Sequence, residues 1–347
     1  MKIIDLRSDT LTLPSKDMLA TIMTAKLGDD GRLSAIGRGE DEAINELEDF
    51  AAQIVGKEAG LFCVSGTMGN QAALFSYCNP GDKILVDKIQ HLYGSEKTAF
   101  DKRFGQMEAL FYNFDDSSMP DLDDLESKLK TNRIKLLCIE NSHNFTGGSC
   151  SDLPRLEEIR KLSTKYQVPI HMDGARLFNA AAYLKTTAKE MCQYVDSVMF
   201  CVSKGLGAPI GSLLCGSHDF IKKAKENRKL LGGAWRQGGI AAAPALYALK
   251  HNIPRLAEDN DNAAYCAEAL QDLPKIKIQN PVQTNIVMLD LQNSGITPEE
   301  FCNKAKAAGL LIRPILKTSV RLVFYQGISK TDALEAAHII KDLATKL

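Results

Sequence analysis

Gly60-Leu61-Phe62-Cys63-Val64-Ser65-Gly66-Thr67, running on through Met68 to Tyr77, joins a short apolar segment, a turn of small residues and a stretch with helical apolar spacing. The apolar run is too short for a helix and reads as a buried strand, so the whole is a strand-turn-helix unit. Upstream, Asp41 to Lys57 places Ile44, Leu47, Phe50, Ala51 and Ile54 at helical intervals. Downstream, short apolar runs recur at Lys83–Val86, Ala109–Phe114, Ile134–Ile139, Val168–Met172 and Ser197–Val202, separated mostly by helix-length segments. Such alternation predicts an α/β fold with a largely parallel sheet covered by helices on both faces. Pro209 to Cys215 follows the preceding run too closely for a helical crossover. It is expected to be the antiparallel member of a mostly parallel seven-stranded sheet.

Helical segments over Lys222–Leu231 and Gly239–Lys250 precede a change of character near residue 250. Beyond it come a helix from about Pro254 to Leu270, strands near Thr284–Leu289, Leu311–Leu316 and Val320–Phe324, and a helix from Lys330. The reading is a large domain over residues 1–250, opening with an arm over 1–14, and a smaller C-terminal α+β domain over 251–347. The 347 residues suffice for two or three domains at about 100–200 residues each. Lys plus Arg number 42 against 43 Asp plus Glu, with no basic run to track a phosphate backbone, so nucleic acid is not the expected partner. No apolar stretch approaches the roughly 18 residues of a membrane span, and Lys2, Asp5 and Arg7 interrupt any secretory start, so the cytosol is the expected compartment. The nine cysteines form no Cys-x-x-Cys pair and have no histidine at zinc spacing. They are expected to be reduced and mostly buried, and no metal site is expected.

In open parallel sheets ligands bind beyond the carboxyl ends of the strands. Ser65-Gly66-Thr67-Met68-Gly69-Asn70 opens a helix there, where backbone N–H groups and small side chains can receive an anion. Taken alone it is equally a plain helix cap. Asp173 ends the Val168–Met172 run and is followed by Gly174-Ala175-Arg176; by itself the Asp173/Arg176 neighbourhood reads as a structural ion pair. Lys204, in Ser203-Lys204-Gly205-Leu206-Gly207, lies between two apolar strands rather than on a solvated loop, which makes it a candidate for Schiff-base chemistry. Together, an anion cup, a strand-end carboxylate and a strand-end lysine are what pyridoxal phosphate requires: a phosphate site, a partner for the ring nitrogen and an amine for the aldehyde.

The chain resembles the low-specificity threonine aldolase and β-eliminating lyase family, pyridoxal phosphate enzymes of the aspartate aminotransferase fold type I. The resemblance is carried by Asp5-Leu6-Arg7-Ser8-Asp9-Thr10, Gly39-Glu40-Asp41, Ser65 to Asn70, Glu140-Asn141-Ser142-His143-Asn144 with Gly147-Gly148, His171 to Ala180, Ser203 to Pro209, and Arg228 to Gly233 with Arg236-Gln237. It implies that Lys204 joins the cofactor and that Asp173 holds the ring nitrogen. Ser65, Gly66 and Thr67 would bind the phosphate, reached also by Lys229 and Arg236 from the same or a neighbouring subunit, and His91 would stack on the ring. Ser8, Arg176 and Arg321 would grip the substrate carboxylate, with Arg176 also binding the cofactor and Arg313 as the alternative to Arg321. Lys204, His91 and Asp173 would be the catalytic set, and the assembly a homo-oligomer, dimer or tetramer.

Departures from the family pattern fall near the substrate. Gly31 to Arg38 replaces the segment that usually carries a tyrosine. The loop Lys128–Arg133 is shorter than the family's and lacks the histidine expected to contact a substrate hydroxyl, and Trp235, Phe324 and Tyr325 stand as added aromatics. The expected activity is cleavage of a β-hydroxy-α-amino acid, threonine-like or bulkier, to glycine and an aldehyde. The alternatives are β-elimination from a β-substituted amino acid and, more remotely, a non-catalytic scaffold.

Overall fold

The computed structural model describes residues 2–34, 37–273, 275–279 and 281–347. The chain begins with β1 (Ile4–Asp5), then builds a sheet from β2 (Ala59–Cys63), β3 (Lys83–Asp87), β4 (Glu108–Tyr112), β5 (Ile134–Glu140), β6 (Ile170–Asp173), β7 (Ser197–Cys201) and β8 (Ser212–Gly216). The spatial order is β2-β8-β7-β6-β5-β3-β4. β8 runs antiparallel to both β2 and β7, while the pairs from β7 through β4 are parallel. Every residue of β7 and β8 is buried. Their near-continuous apolar runs follow from a sheet covered on both faces.

The helix before β2 spans Glu42–Val55, shorter at both ends than the apolar period alone. Asp41 caps it, its Oδ1 accepting the N–H of Ile44 at 3.1 Å, and Gly56 ends it at φ 66°, a left-handed turn that glycine adopts without strain. The main core runs from Met18 to Leu256 and includes Ile44, Leu47, Phe62, Ile170 and Phe200.

A second sheet contains β9 (Lys277–Ile278), β10 (Ile286–Asp290), β12 (Arg313–Ile315) and β13 (Ser319–Val323), all antiparallel in the order β12-β13-β10-β9. Helices Leu256–Ala269, Pro298–Ala307 and Lys330–Ala344 accompany it. The run read as one strand over Leu311–Leu316 is two: β11 (Leu310–Leu311) pairs in parallel with β1, and the chain then turns its hydrogen bonds to β13. Two residues of β1 are too few to show a period, yet Ile4 and Leu6 join the second apolar core with Phe301, Leu322 and Ile340. The opening arm is therefore anchored on the C-terminal unit.

All cysteines are free, and all but Cys302 are buried. Among the described residues no helix is long and apolar enough to cross a membrane. Within Gly31–Arg38, residues 35 and 36 lie outside the described set.

Candidate active site

The carboxyl ends of β2, β3, β5, β6 and β7 come to one edge of the large sheet. Register sets Glu140 opposite Asp173, and Asp173 opposite Met199. The helix Gly66–Tyr77 starts at this edge, with Ser65 Oγ accepting the N–H of Met68 at 3.2 Å. A Cβ on Gly66 would lie 3.0 Å from Cys201 Sγ and 3.2 Å from Met199 Cε. The helix N-terminus is thus pressed against the end of β7, the strand that leads to Lys204, and its cap serves structure while its first N–H groups face the ligand edge.

Asp173 is buried. Its Oδ2 accepts from Asn70 Nδ2 at 2.9 Å and its Oδ1 from the Ala175 N–H at 3.1 Å. Burial, reinforced by the Glu140 and Glu96 carboxylates and only partly offset by His91 and Lys204, pushes its carboxyl up to about 7. It is a carboxylate short of a cation. Glu96, almost wholly buried, joins the group through a wide π-type turn over Leu92–Glu96. Its Oε1 meets His91 Nδ1 at 3.1 Å and Asn70 Nδ2 at 3.0 Å, and its Oε2 meets Gln71 Nε2 at 3.1 Å. The His91 N–H donates to Glu140 Oε2 at 3.0 Å. Burial alone would lower the His91 pKa, but the bond to Glu96 and the charges of Asp173, Glu96 and Glu140 outweigh it and hold it above the usual imidazole value. The Phe145 ring lies 6.4 Å from that of His91, tilted by 18°.

Lys204 is half-buried on the loop leaving β7. Gly207 closes the loop with its N–H on the Lys204 carbonyl at 2.8 Å, at φ 80°, and a Cβ there would sit 3.2 Å from Thr12 Cγ2 of the arm. Arg255 Nη1 holds the Gly205 carbonyl at 2.8 Å.

The arm also reaches Arg176. Asp9 receives Nε at 2.7 Å and Nη2 at 2.8 Å, a bidentate buried pair. The structural ion pair of Arg176 is therefore with Asp9 and not with Asp173, because Asp173 turns toward Asn70. Asn144 Oδ1 accepts from both Arg176 Nη1 at 3.3 Å and Arg321 Nη1 at 2.6 Å. Burial, then the nearby Arg176 charge, depresses Arg321 to about 10, against the pull of Asp9. Among the described residues its buried Nε has no partner. Arg313 is opposite Arg321 in register but exposed. Ser8 caps the short turn Asp9–Leu11 beside this group.

Other expected residues lie elsewhere in the single chain. Lys229 and Arg236 are exposed and line a surface cavity of about 870 Å³ beside the first residues of β2; Arg236 pairs with Asp29 at 3.1 Å. Among the described residues no contact joins them to Asp173 or Lys204. Trp235 stacks on Phe62, centroids 5.3 Å apart, against the large core, and Phe324 and Tyr325 belong to the second core. Those three are packing residues; the aromatic beside His91 is Phe145. Nor is Lys128–Arg133 a site loop: it is the last turn of helix Leu122–Thr131 and the entry to β5, at the sheet end opposite Asp173.

Two features of the edge suit pyridoxal phosphate, the helix N-terminus at Gly66 and the cation-poor Asp173, and the orphaned guanidinium edge of Arg321 suits a carboxylate. The sequence pattern of the β-eliminating lyase family matches residues 5–294. The chain belongs to that family. This member of the β-eliminating lyases is 38% identical over 341 residues to the low specificity L-threonine aldolase of Escherichia coli K12, covering 96% of this chain and 97% of the relative. Its fold superposes on a Leishmania major threonine aldolase structure with a TM-score of 0.79 at 17% identity, covering 98% and 99% of the two chains. A probable N-succinyldiaminopimelate aminotransferase from Thermus thermophilus gives 0.74 at 17%, covering 98% and 95%. The lyase therefore has the aminotransferase-type fold.

Proposed function

We propose that the protein is a pyridoxal phosphate-dependent lyase that splits a β-hydroxy-α-amino acid into glycine and an aldehyde, with residues 1–250 carrying the cofactor and 251–347 supplying Arg321. The observation that carries this reading is the meeting of Lys204, Asp173 and the Gly66 helix N-terminus at one sheet edge in a chain 38% identical to an L-threonine aldolase.

When bound, the cofactor supplies an electron sink that is deepest when its ring nitrogen is protonated. Asp173 would keep that proton in place, its own lack of a cation being relieved by the charge. Ser65, Gly66 and Thr67 would receive the phosphate, and Lys204 would offer its amine. Arg321 and Asn144 would fix the substrate carboxylate, with Arg176 braced by Asp9 and Ser8 at the margin, so that the substrate would be held in one orientation. Glu96 occupies His91 Nδ1, which would leave Nε2 as the base toward a substrate β-hydroxyl, and the His91 ring would line the cofactor.

The exposed apolar side chains Leu11, Leu13, Leu19, Met23 and Leu27 suit burial against a second copy. In that dimer, or a tetramer of two dimers, Lys229 and Arg236 would reach a neighbour's phosphate. Free, buried cysteines suit the reducing cytosol. Product analysis with threonine and phenylserine tests the reading: glycine plus aldehyde supports it, whereas keto acid plus ammonia from β-substituted amino acids establishes elimination instead.

A further inference from the structure

Behind Asp173 lies a row of buried polar groups that the chemistry above leaves unused. Asn70, His171 and Ser197 are each 0% exposed. Asn70 Nδ2 lies 2.9 Å from Asp173 and 3.0 Å from Glu96, so each of its two amide hydrogens has a carboxylate. Its Oδ1 is 3.2 Å from His171 Nε2, His171 Nδ1 is 2.9 Å from Ser197 Oγ, and Ser197 Oγ is 3.1 Å from the Tyr77 hydroxyl.

Only one arrangement of hydrogens satisfies the row. Rotating the Asn70 amide would set its oxygen against two carboxylates, so the oxygen must face His171. His171 must then carry its hydrogen on Nε2. With no carboxylate of its own, the buried imidazole is kept neutral, its pKa depressed to about 3. Nδ1 is consequently an acceptor and takes the Ser197 hydroxyl hydrogen, and Ser197 in turn receives the Tyr77 hydrogen. Burial raises the Tyr77 pKa, so that hydrogen stays on the phenol. Every donor in the row points toward Asp173.

We propose that His171 is a positioning residue for the cofactor: as the neutral Nε2–H tautomer it locks the Asn70 amide, and Asn70 holds Asp173 as the acceptor that faces the ring nitrogen. This assignment rests on the cofactor site proposed above. Hydrogen bonds to the charged form favour it, so the row opposes the burial that drives Asp173 toward protonation. Leu at position 171 would leave the buried Asn70 oxygen with no donor, so that the two carboxylates alone would hold the amide. Gln would place an amide hydrogen near the position of Nε2–H and retain the lock.

The test has two arms. In the cofactor-free protein labelled with 15N at histidine, His171 is expected to show a protonated Nε2 and a bare Nδ1 at neutral pH. A protonated Nδ1 or a charged ring overturns the proposal whether or not cofactor binds. In the second arm, pyridoxal phosphate is titrated into cofactor-free wild type, His171→Leu and His171→Gln, each checked for folding by circular dichroism. The dissociation constant is expected to rise about tenfold for His171→Leu, the scale of one lost hydrogen bond, and to return within about threefold of wild type for His171→Gln. Equal binding by His171→Leu, or His171→Gln binding no better than His171→Leu, overturns the lock. If His171→Leu does not fold, His171→Gln against wild type decides by the same threefold limit. Failure of the wild type itself to bind the cofactor would instead sink the cofactor site, leaving the tautomer measurement as the judge of the hydrogen-bonded row.

Discussion

Replacing Asp9 by Asn isolates the buried pair that ties the opening arm to the site. The side chains of Asp9 and Arg176 are 0% and 5% exposed, and both carboxylate oxygens are engaged, at 2.7 and 2.8 Å. Asn is nearly the same size, but one of its two ends is a donor and must confront a guanidinium N–H. The arginine would stay charged and buried with its anion removed, a change that costs about 3–5 kcal/mol. Trp235 is the single tryptophan and stacks on Phe62 in the large core, so its fluorescence in a urea titration reports the unfolding. The pH dependence gives a second check. Burial would raise the Asp9 carboxyl, but the Arg176 pair and the Lys204 and Arg321 charges hold it below its usual range. Its contribution is therefore present above about pH 4 and lost as pH falls through the folded-state value. The gap between wild type and Asp9→Asn is expected to be level from about pH 7 to 5 and to close in more acid solution. A variant as stable as wild type at pH 7, or a gap indifferent to acid, would refute the argument.

Lys204→Ala is expected to abolish the visible absorbance of bound cofactor while the far-ultraviolet circular dichroism stays unchanged. Arg321→Met is expected to raise KM for the amino acid by about 10- to 100-fold, the scale of a charged hydrogen bond, with a smaller change in kcat; steady-state kinetics read both. Burial opposes charge on His143, but Glu140 and Asp87, the latter 3.1 Å away, outweigh it and raise its pKa to about 9. Its stabilising charge is complete below about pH 6.5 and lost as pH rises through about 9, so urea midpoints should fall in alkali for wild type and less for His143→Phe. Phe145→Ala is expected to reduce kcat/KM for phenylserine about 2- to 10-fold more than for threonine, since a ring-ring contact is worth about 0.5–1.5 kcal/mol; equal losses would remove Phe145 from the substrate pocket.

Asp173 and Lys204 stood out in the sequence because the one ends and the other closely follows a mostly apolar strand, where composition changes abruptly. Pro209–Cys215 was legible as antiparallel from connection length alone, although Pro209 to Gly211 fall outside the strand Ser212–Gly216. Glu96 was not legible: His91-Leu92-Tyr93-Gly94-Ser95-Glu96 has no apolar period, and only the wide turn brings its last residue back to its first. Asp9 appears in sequence as one residue of a matched stretch, and its partner Arg176 is distant along the chain, so no local spacing could pair them. Lys128–Arg133 read as a loop because its polar residues also suit a helix end, where lysines meet exposed carbonyls. Position alone leaves Trp235 and Phe324 open between pocket and core; their packing in the two cores depends on neighbours far away in sequence.

The pairing of Ile4 with Leu310 and Asp5 with Leu311 sets an order of events during synthesis. Ile4 and Asp5 are made long before their strand partners Leu310 and Leu311. Until then Ile4 and Leu6 have no core to enter, and Asp9 cannot be held over the sheet edge by the segment before it. Contacts so far apart in sequence form late, because a long loop must close before any of its bonds is gained. A nascent chain can thus complete the large sheet, with Asp173 and Lys204 already at its edge, while still lacking the arm and Arg321 that finish the substrate side. Competence for the reaction waits until the segment from Leu310 to Arg321 has been made and has paired with the arm.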